Sequence, residues 1–544
     1  MSAAGPARSV ASRGLVLAHL WVAFGLFAVG SLLGLFQLLA RERVVTAPAA
    51  TYYQSMTLHG VIQAFVLTTF FIVGFGYYVT ATSLGRTVLW PRLAWLGYFT
   101  MLFGTVLAAL SIASGASTVL YTFYPPMIAH WTFYAGAALL LVGSLPWTVT
   151  TIAMTARWKR ENPNQPVPLA QFGMASCAIL WAWTLVGVVV EVVFQLLPVS
   201  AGLSGTIDVG LARTLFSWTL HPIVYFWLIP AYVTLYTIVP KAAGGYLFSD
   251  EAGRIVFVML LVFSLPIGLH HVFLDPEQAA GWKLLHALGT FLVALPTLLT
   301  GFTVGASLET AGRIRGGKGL FGWIGALPWR EPVALGGILA LVTLLPGGFG
   351  GLVNASYALN AMVHNTAWIT AHFHLIFGGA VVLVYFASAY ALWPKLTSRR
   401  LASRGTATLQ LWLWFLGMLT LTVPWHYLGL LWMPRRIAYA PYDPQIVARW
   451  QPFSGVMIAG GAMLVVSAVL FVGNLLASHR SRPEEPEPMT YAETLEPVVH
   501  VPALLNGFTV WNWLLVALMT ISWAYPIGQF FFIGVHKALA WGVR

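Results

Sequence analysis

Four histidine clusters interrupt long apolar runs: Thr57-Leu58-His59-Gly60, Leu220-His221-Pro222-Ile223-Val224-Tyr225, His270-His271 and His372-Phe373-His374. A lone histidine in a membrane span is more often a hydrogen-bonded packing residue than a ligand, but six at related depths reverse that weighting. At about 1.5 Å per helical residue, all six lie roughly 5–15 Å below the outer edge of their spans. His372 and His374 point about 200° apart on a helix, so each can bind a different centre on opposite faces. His270 and His271, about 100° apart, can share one ion, and Pro266 ahead of them loosens the helix by removing a backbone donor. His221 and Tyr225 share a face at a separation of four residues. Neutral imidazoles without a thiolate suit copper, and axial imidazoles suit haem iron.

The elements that must position these residues follow from composition. The chain has 544 residues, of which 58% are hydrophobic, 14% aromatic and only 8% charged. A soluble domain carries about 25% charged residues, so a water-exposed globule is excluded, and the aromatic content excludes disorder. The expected fold class is all-α, a polytopic membrane bundle of about 13 helices, each needing about 20 apolar residues. The predicted spans are 14–40, 54–82, 91–113, 126–155, 170–197, 211–239, 254–274, 281–308, 333–352, 365–393, 409–431, 452–478 and 508–536. The run 14–40 is too long for a signal-peptide core and reads as the first span. The whole of 1–544 reads as one transmembrane domain, with 1–13 a cytoplasmic N-terminus and 479–507 a polar cytoplasmic loop. Within that loop the Glu-rich stretch 484–496 reads as a solvated linker. No strand pattern, internal repeat or Gly-rich phosphate loop is evident.

The net charge of +12 sits on basic residues spread between spans, with no basic face, which argues against a nucleic-acid partner. A cytoplasmic N-terminus and an outside C-terminus put 19 of the 28 Lys and Arg residues on the inner side. Cys177 lies inside an apolar run, and one thiol can form neither an intrachain disulfide nor a Cys-rich metal cage.

The order His-Pro-Ile-Val-Tyr, His-His, His-Phe-His is highly specific. From span 2 to span 13 the chain resembles the catalytic subunit I of haem–copper oxygen reductases, in particular the B-family, cytochrome ba(3)-type cytochrome c oxidases. The resemblance implies an integral protein of the prokaryotic plasma membrane that reduces O2 to water and pumps protons. It implies that His59 and His374 are the axial ligands of a low-spin b-type haem and His372 the proximal ligand of a high-spin a-type haem. It further implies that His221, His270 and His271 hold one copper ion, with Tyr225 covalently joined to His221. A haem with two axial imidazoles can only pass electrons, whereas one with a single imidazole leaves a face open for oxygen. The two facing metals can supply three of the four electrons for O–O cleavage, and the Tyr225 phenol the fourth with its proton. The implied partners are a subunit II bearing a dinuclear copper centre, cytochrome c as donor, a small single-span subunit and membrane lipid.

Oxygen reduction consumes protons, so a polar path must cross from the inner side. Tyr225, Tyr232 and Tyr236 stand at i, i+7 and i+11, within about 20° of one helix face. Thr297 and Thr300 on span 8 could complete the file, and the resemblance implies a single proton path at these positions. Ile223 follows His-Pro where the A-family carries Glu. With Tyr225 and no acid in 216–230, this favours oxygen over nitric oxide as substrate. A nitric oxide reductase of the same superfamily is the alternative reading, and a cofactor-free transporter is a remote one. Arg435 and Arg436 in the predicted outer loop suit haem propionates, and the resemblance implies that role; His364 and Asn365 could contact those of the high-spin haem. Asn360 stands where a related chain would carry an acid. Arg213 and Asp275, at outer ends of spans 6 and 7, are a candidate pair. Glu191 is the one acid deep in an apolar span and has no assigned role.

Overall fold

The computed structural model describes residues 10–438, 442–485, 487–498, 500–532, 537–539 and 541–542. Among them are 13 helical segments long and apolar enough to cross a membrane: Arg13–Arg41, Ala49–Ser83, Pro91–Ala113, Trp131–Glu161, Leu169–Ser200, Val209–Ala242, Asp250–Val272, Ala280–Ile314, Pro332–Ala355, Ala367–Thr397, Arg404–Leu430, Pro444–Ser478 and Thr509–Phe532. These are spans 1 to 13 below. They overlay the segments expected from hydropathy, because a run of apolar side chains in lipid must satisfy its backbone internally and so coils. Residues 533–536, placed in the last span from sequence, lie outside the described residues.

Polar side chains set several helix starts. Asp208, Ser249, Glu331 and Ser403 each accept a backbone N–H from the first turn that follows them (2.9, 3.1, 2.6 and 3.0 Å), which pairs amides the helix leaves free. Spans 6 and 10 are the most deeply buried and spans 1 and 13 among the least. The histidine-bearing elements therefore sit in the middle of the bundle, behind packed rings such as Trp147, Trp181 and Tyr385.

The spans are less regular than periodicity alone indicates. π-helical turns occupy Ile62–Leu67, Val192–Leu196 and His374–Val381. Span 6 is divided at His221, between Val209–Leu220 and Pro222–Thr237. Span 7 leaves α-helix after Ser264 and closes with one 3-10 turn, Leu269–Val272. Span 8 is divided at Val293, between Ala280–Leu292 and Ala294–Ile314. Pro222, Pro266 and Pro296 stand at or just beyond these breaks, where a missing N–H removes the helical bond.

Two sequence expectations need correction. Short strands do exist: Met127–Ile128 pairs in parallel with Trp541–Gly542, and Thr206–Asp208 antiparallel with Lys537–Leu539. They are too short to leave a sequence pattern. The stretch 484–496 is also not a free linker. Ala492 and Leu495 donate to the Thr237 and Leu247 carbonyls (2.6 and 2.8 Å), Leu247 donates back to Glu493 (2.8 Å), and Tyr491 Oη bonds Thr82 (2.7 Å). Backbone groups exposed at the span ends recruit the segment as their partner.

Candidate metal centres

One cavity of about 500 Å³ is lined by all six histidines together with Tyr225, Thr297, His364, Arg435 and Arg436. At its centre the break at His221 and the 3-10 turn bring three imidazoles together. The candidate ligand nitrogens of His221, His270 and His271 lie within 4.8 Å of one another. His221 Nε2 and His271 Nε2 are buried with no hydrogen-bond partner. Buried polar nitrogens are rarely left unpaired, so three converging imidazoles, two of them with an unpartnered nitrogen, match the donor set of a copper ion. The Tyr225 ring lies edge-on to His221, with centroids 5.0 Å apart, so its phenol belongs to the same site.

His59 and His374 approach across the bundle. Their rings are parallel within 7°, with centroids 6.3 Å apart. His59 Nδ1 bonds the Gly30 carbonyl (2.7 Å) and His374 Nδ1 the Thr370 carbonyl (2.8 Å). A ring that donates from Nδ1 keeps its lone pair on Nε2. Two metal–nitrogen bonds of about 2 Å each, with the nitrogen-to-centre offsets, span roughly 6 Å. The pair therefore fits one six-coordinate iron. Gly34 makes room for it, since a Cβ there would come within 2.9 Å of His59.

His372 faces the other side of span 10, against span 9. A Cβ on Gly350 would come within 2.6 Å of His372 Nδ1, so only glycine accommodates this ring. Gly350→Ala is expected to displace His372 at a cost of about 1–3 kcal/mol; with His372 as the high-spin haem ligand that the resemblance implies, occupancy of that haem should fall and the low-spin haem should be unaffected. Separate quantification of the two haems in the purified variant checks this. The glycine-rich run Pro346-Gly347-Gly348-Phe349-Gly350-Gly351, which the sequence reading passed over, is the signal that could have found this close approach.

Two tyrosine–threonine hydroxyl pairs form between spans 6 and 8. Tyr232 Oη donates to Thr297 Oγ1 (3.1 Å), and Tyr236 Oη bonds Thr300 Oγ1 (2.8 Å). Tyr232 and Tyr236 are fully buried. The two phenols lie on the C-terminal side of Tyr225 along span 6.

Arg435 and Arg436 line the cavity, and Arg213 lies against its Tyr124. The Arg436 guanidinium lies over Tyr121 (5.5 Å) and that of Arg213 over Tyr124 (4.8 Å). Arg213 pairs with Asp275 (2.8 Å), as the sequence suggested. Burial lifts the Asp275 carboxyl to about 6 against the pull of Arg213. Burial, then Arg435, Arg436 and Arg213, hold His364 at about 4, so it is neutral at pH 7. Burial and neighbouring Arg436 lower Arg435 to about 10, so it remains a cation at neutral pH. His364 Nδ1 bonds Asn360 Oδ1 (2.8 Å). Asn365 is not among the residues lining the cavity; its carbonyl accepts from the Arg435 amide (3.0 Å). Glu191 is fully buried, and neither of its oxygens has a hydrogen-bond partner.

Residues 14–463 match the family described as cytochrome c and quinol oxidase polypeptide I. The chain is 41% identical over 513 residues, 91% of each chain, to cytochrome c oxidase subunit 1 of Thermus thermophilus. It is 25% identical over 487 residues to cytochrome c oxidase subunit 1 of Thermostichus vulcanus, covering 85% of this chain and 82% of that one. A chain of a haem–copper terminal oxidase dimer solved by cryo-electron microscopy superposes with a TM-score of 0.93 at 38% identity, over 98% of this chain and 95% of that one. The chain thus belongs to the cytochrome c and quinol oxidase polypeptide I family, as a subunit I of the haem–copper terminal oxidases.

Proposed function

We propose that this chain is the catalytic subunit of a B-family cytochrome c oxidase that reduces O2 to water and pumps protons. The observation that carries this reading is the shared cavity. It holds a three-imidazole cluster with unpartnered nitrogens, a parallel His59–His374 pair and a separate His372. His59 and His374 would hold the low-spin haem, of b type, and His372 the high-spin haem, of a type. His221, His270 and His271 would hold copper. When bound, these groups supply electron transfer and the binding and reduction of oxygen.

The remaining work falls to the chain. The apolar wall around the site, including Trp227, Phe373 and Phe377, limits bulk water. Tyr225 Oη holds a proton beside the cluster and gives it up there. Tyr232 and Tyr236, with Thr297 and Thr300, pass protons by re-orienting hydroxyls that already touch in pairs. Arg435 and Arg436 would pair with haem propionates, with His364 beside them in the cavity lining and the Asn365 carbonyl holding the Arg435 amide. Electrons would come from cytochrome c through a subunit II carrying a dinuclear copper centre, with a small single-span subunit and lipid completing the assembly. The residues 1–544 act as one transmembrane domain in the prokaryotic plasma membrane, with the N-terminus cytoplasmic and the C-terminus outside.

Tyr236→Phe keeps the ring and removes the bond to Thr300. Proton delivery should slow by at least about tenfold, with haem and copper content unchanged; stopped-flow proton uptake measures this. Turnover with each gas tests the substrate: rapid oxygen use with little nitric oxide consumption is expected, and the reverse would transfer the chain to the nitric oxide reductases.

A further inference from the structure

The turn that carries His270 and His271 is not held by α-helix bonds. The preceding helix, Asp250–Ser264, ends before Pro266, and only the single turn Leu269–Val272 follows. Two of its amides converge on one atom, Nδ1 of His286 in span 8: Gly268 N at 3.0 Å and Leu269 N at 3.3 Å. His286 is fully buried. A nitrogen that accepts two amides carries no proton, so the neutral ring is protonated on Nε2. Nε2 lies 3.2 Å from the Ser522 carbonyl in span 13 and donates to it.

The same residue reaches the cluster a second way. The Thr290 hydroxyl donates to the His286 carbonyl (2.6 Å) and therefore accepts from His270 Nδ1 (3.1 Å), which leaves His270 Nε2 as the ligand atom. Trp523 packs edge-on against the His286 ring, with centroids 5.0 Å apart.

We propose that His286 is a positioning residue for the metal-ligating turn, and that span 13 is coupled to the copper site through it. The turn has no α-helical ladder to fix it, so the two amide bonds to Nδ1, beside the Ser217 Oγ bond to the Gly268 carbonyl (2.6 Å), set the direction of His270 and His271. Removing the acceptor leaves two buried donors unpaired, and the turn must rotate to find others. Outer partners of metal ligands are typically worth 10–100-fold in metal affinity.

This inference rests on reading His221, His270 and His271 as the copper ligands. The test uses the purified whole oxidase complex of wild type and the His286→Asn, His286→Gln and His286→Leu variants. Each is dialysed against a copper chelator, and retained copper is counted against haem iron. Asn places an acceptor oxygen near the Nδ1 position, whereas Gln places its amide nearer Nε2. The Asn variant should keep copper close to wild type. The Gln and Leu variants should bind it about 10–100-fold more weakly, with the low-spin haem spectrum intact. Copper retention by Leu equal to wild type would overturn the proposal, as would Gln retaining as much as Asn. Should the Leu variant fail to assemble, the Asn–Gln comparison decides alone. A wild-type complex whose copper is all accounted for by subunit II would instead refute the ligand assignment itself.

Discussion

Replacing His221 with alanine is expected to empty the copper position and stop oxygen turnover while leaving the low-spin haem spectrum unchanged. His221 supplies one of three imidazoles whose nitrogens lie within 4.8 Å of one another, and no carboxylate or thiol among the described residues joins that cluster. Two remaining imidazoles cannot complete the site, so metal analysis should show the loss directly. Turnover should fall by at least about 10²–10³-fold, the scale of losing one preorganised element of a reacting site. The low-spin pair should be spared because its bonds are separate: His59 is fixed by Gly30 of span 1 and His374 by Thr370 of its own helix. Loss of the low-spin signal in this variant would contradict the assignment.

Tyr225→Phe separates metal holding from proton and electron supply. The substitution keeps the ring that lies against His221 and removes only the hydroxyl. Haem and copper content should match wild type, while turnover should drop by about 10²–10⁴-fold, the range for losing a positioned proton donor. Spectra of the resting variant should show both haems. Wild-type turnover in this variant would remove Tyr225 from the chemistry and leave it as packing.

The spans were legible because membrane hydropathy overrides local detail, and the metal-site candidates because polar residues are scarce in those spans. His221, His270 and His271 converge in space although their spacing alone allowed only the second and third to share an ion. The pairing of Tyr232 with Thr297 and of Tyr236 with Thr300 was legible for a similar reason, since one helical stripe faces one neighbour.

Other features depend on three-dimensional contacts that periodicity does not encode. The division of span 6 at His221 and the 3-10 turn at Leu269–Val272 are responses to proline combined with packing. Gly350 is needed because His372 of another span presses on it. His286 is an ordinary histidine in sequence and becomes a hub only through amides 17 and 18 residues away and the carbonyl of Ser522. The stretch 484–496 is polar, as a linker would be, yet it is strapped to span ends by backbone bonds that composition cannot reveal.

The proposed arrangement puts two haems in different ligation states and a copper ion in one cavity of this chain. A reduced-minus-oxidised difference spectrum of the purified protein, with extraction of its haems and metal analysis of the same sample, tests it most directly. Bands of a low-spin and a high-spin haem, two chemically distinct haems on extraction, and copper beyond that of subunit II are expected. A spectrum without haem bands would contradict it.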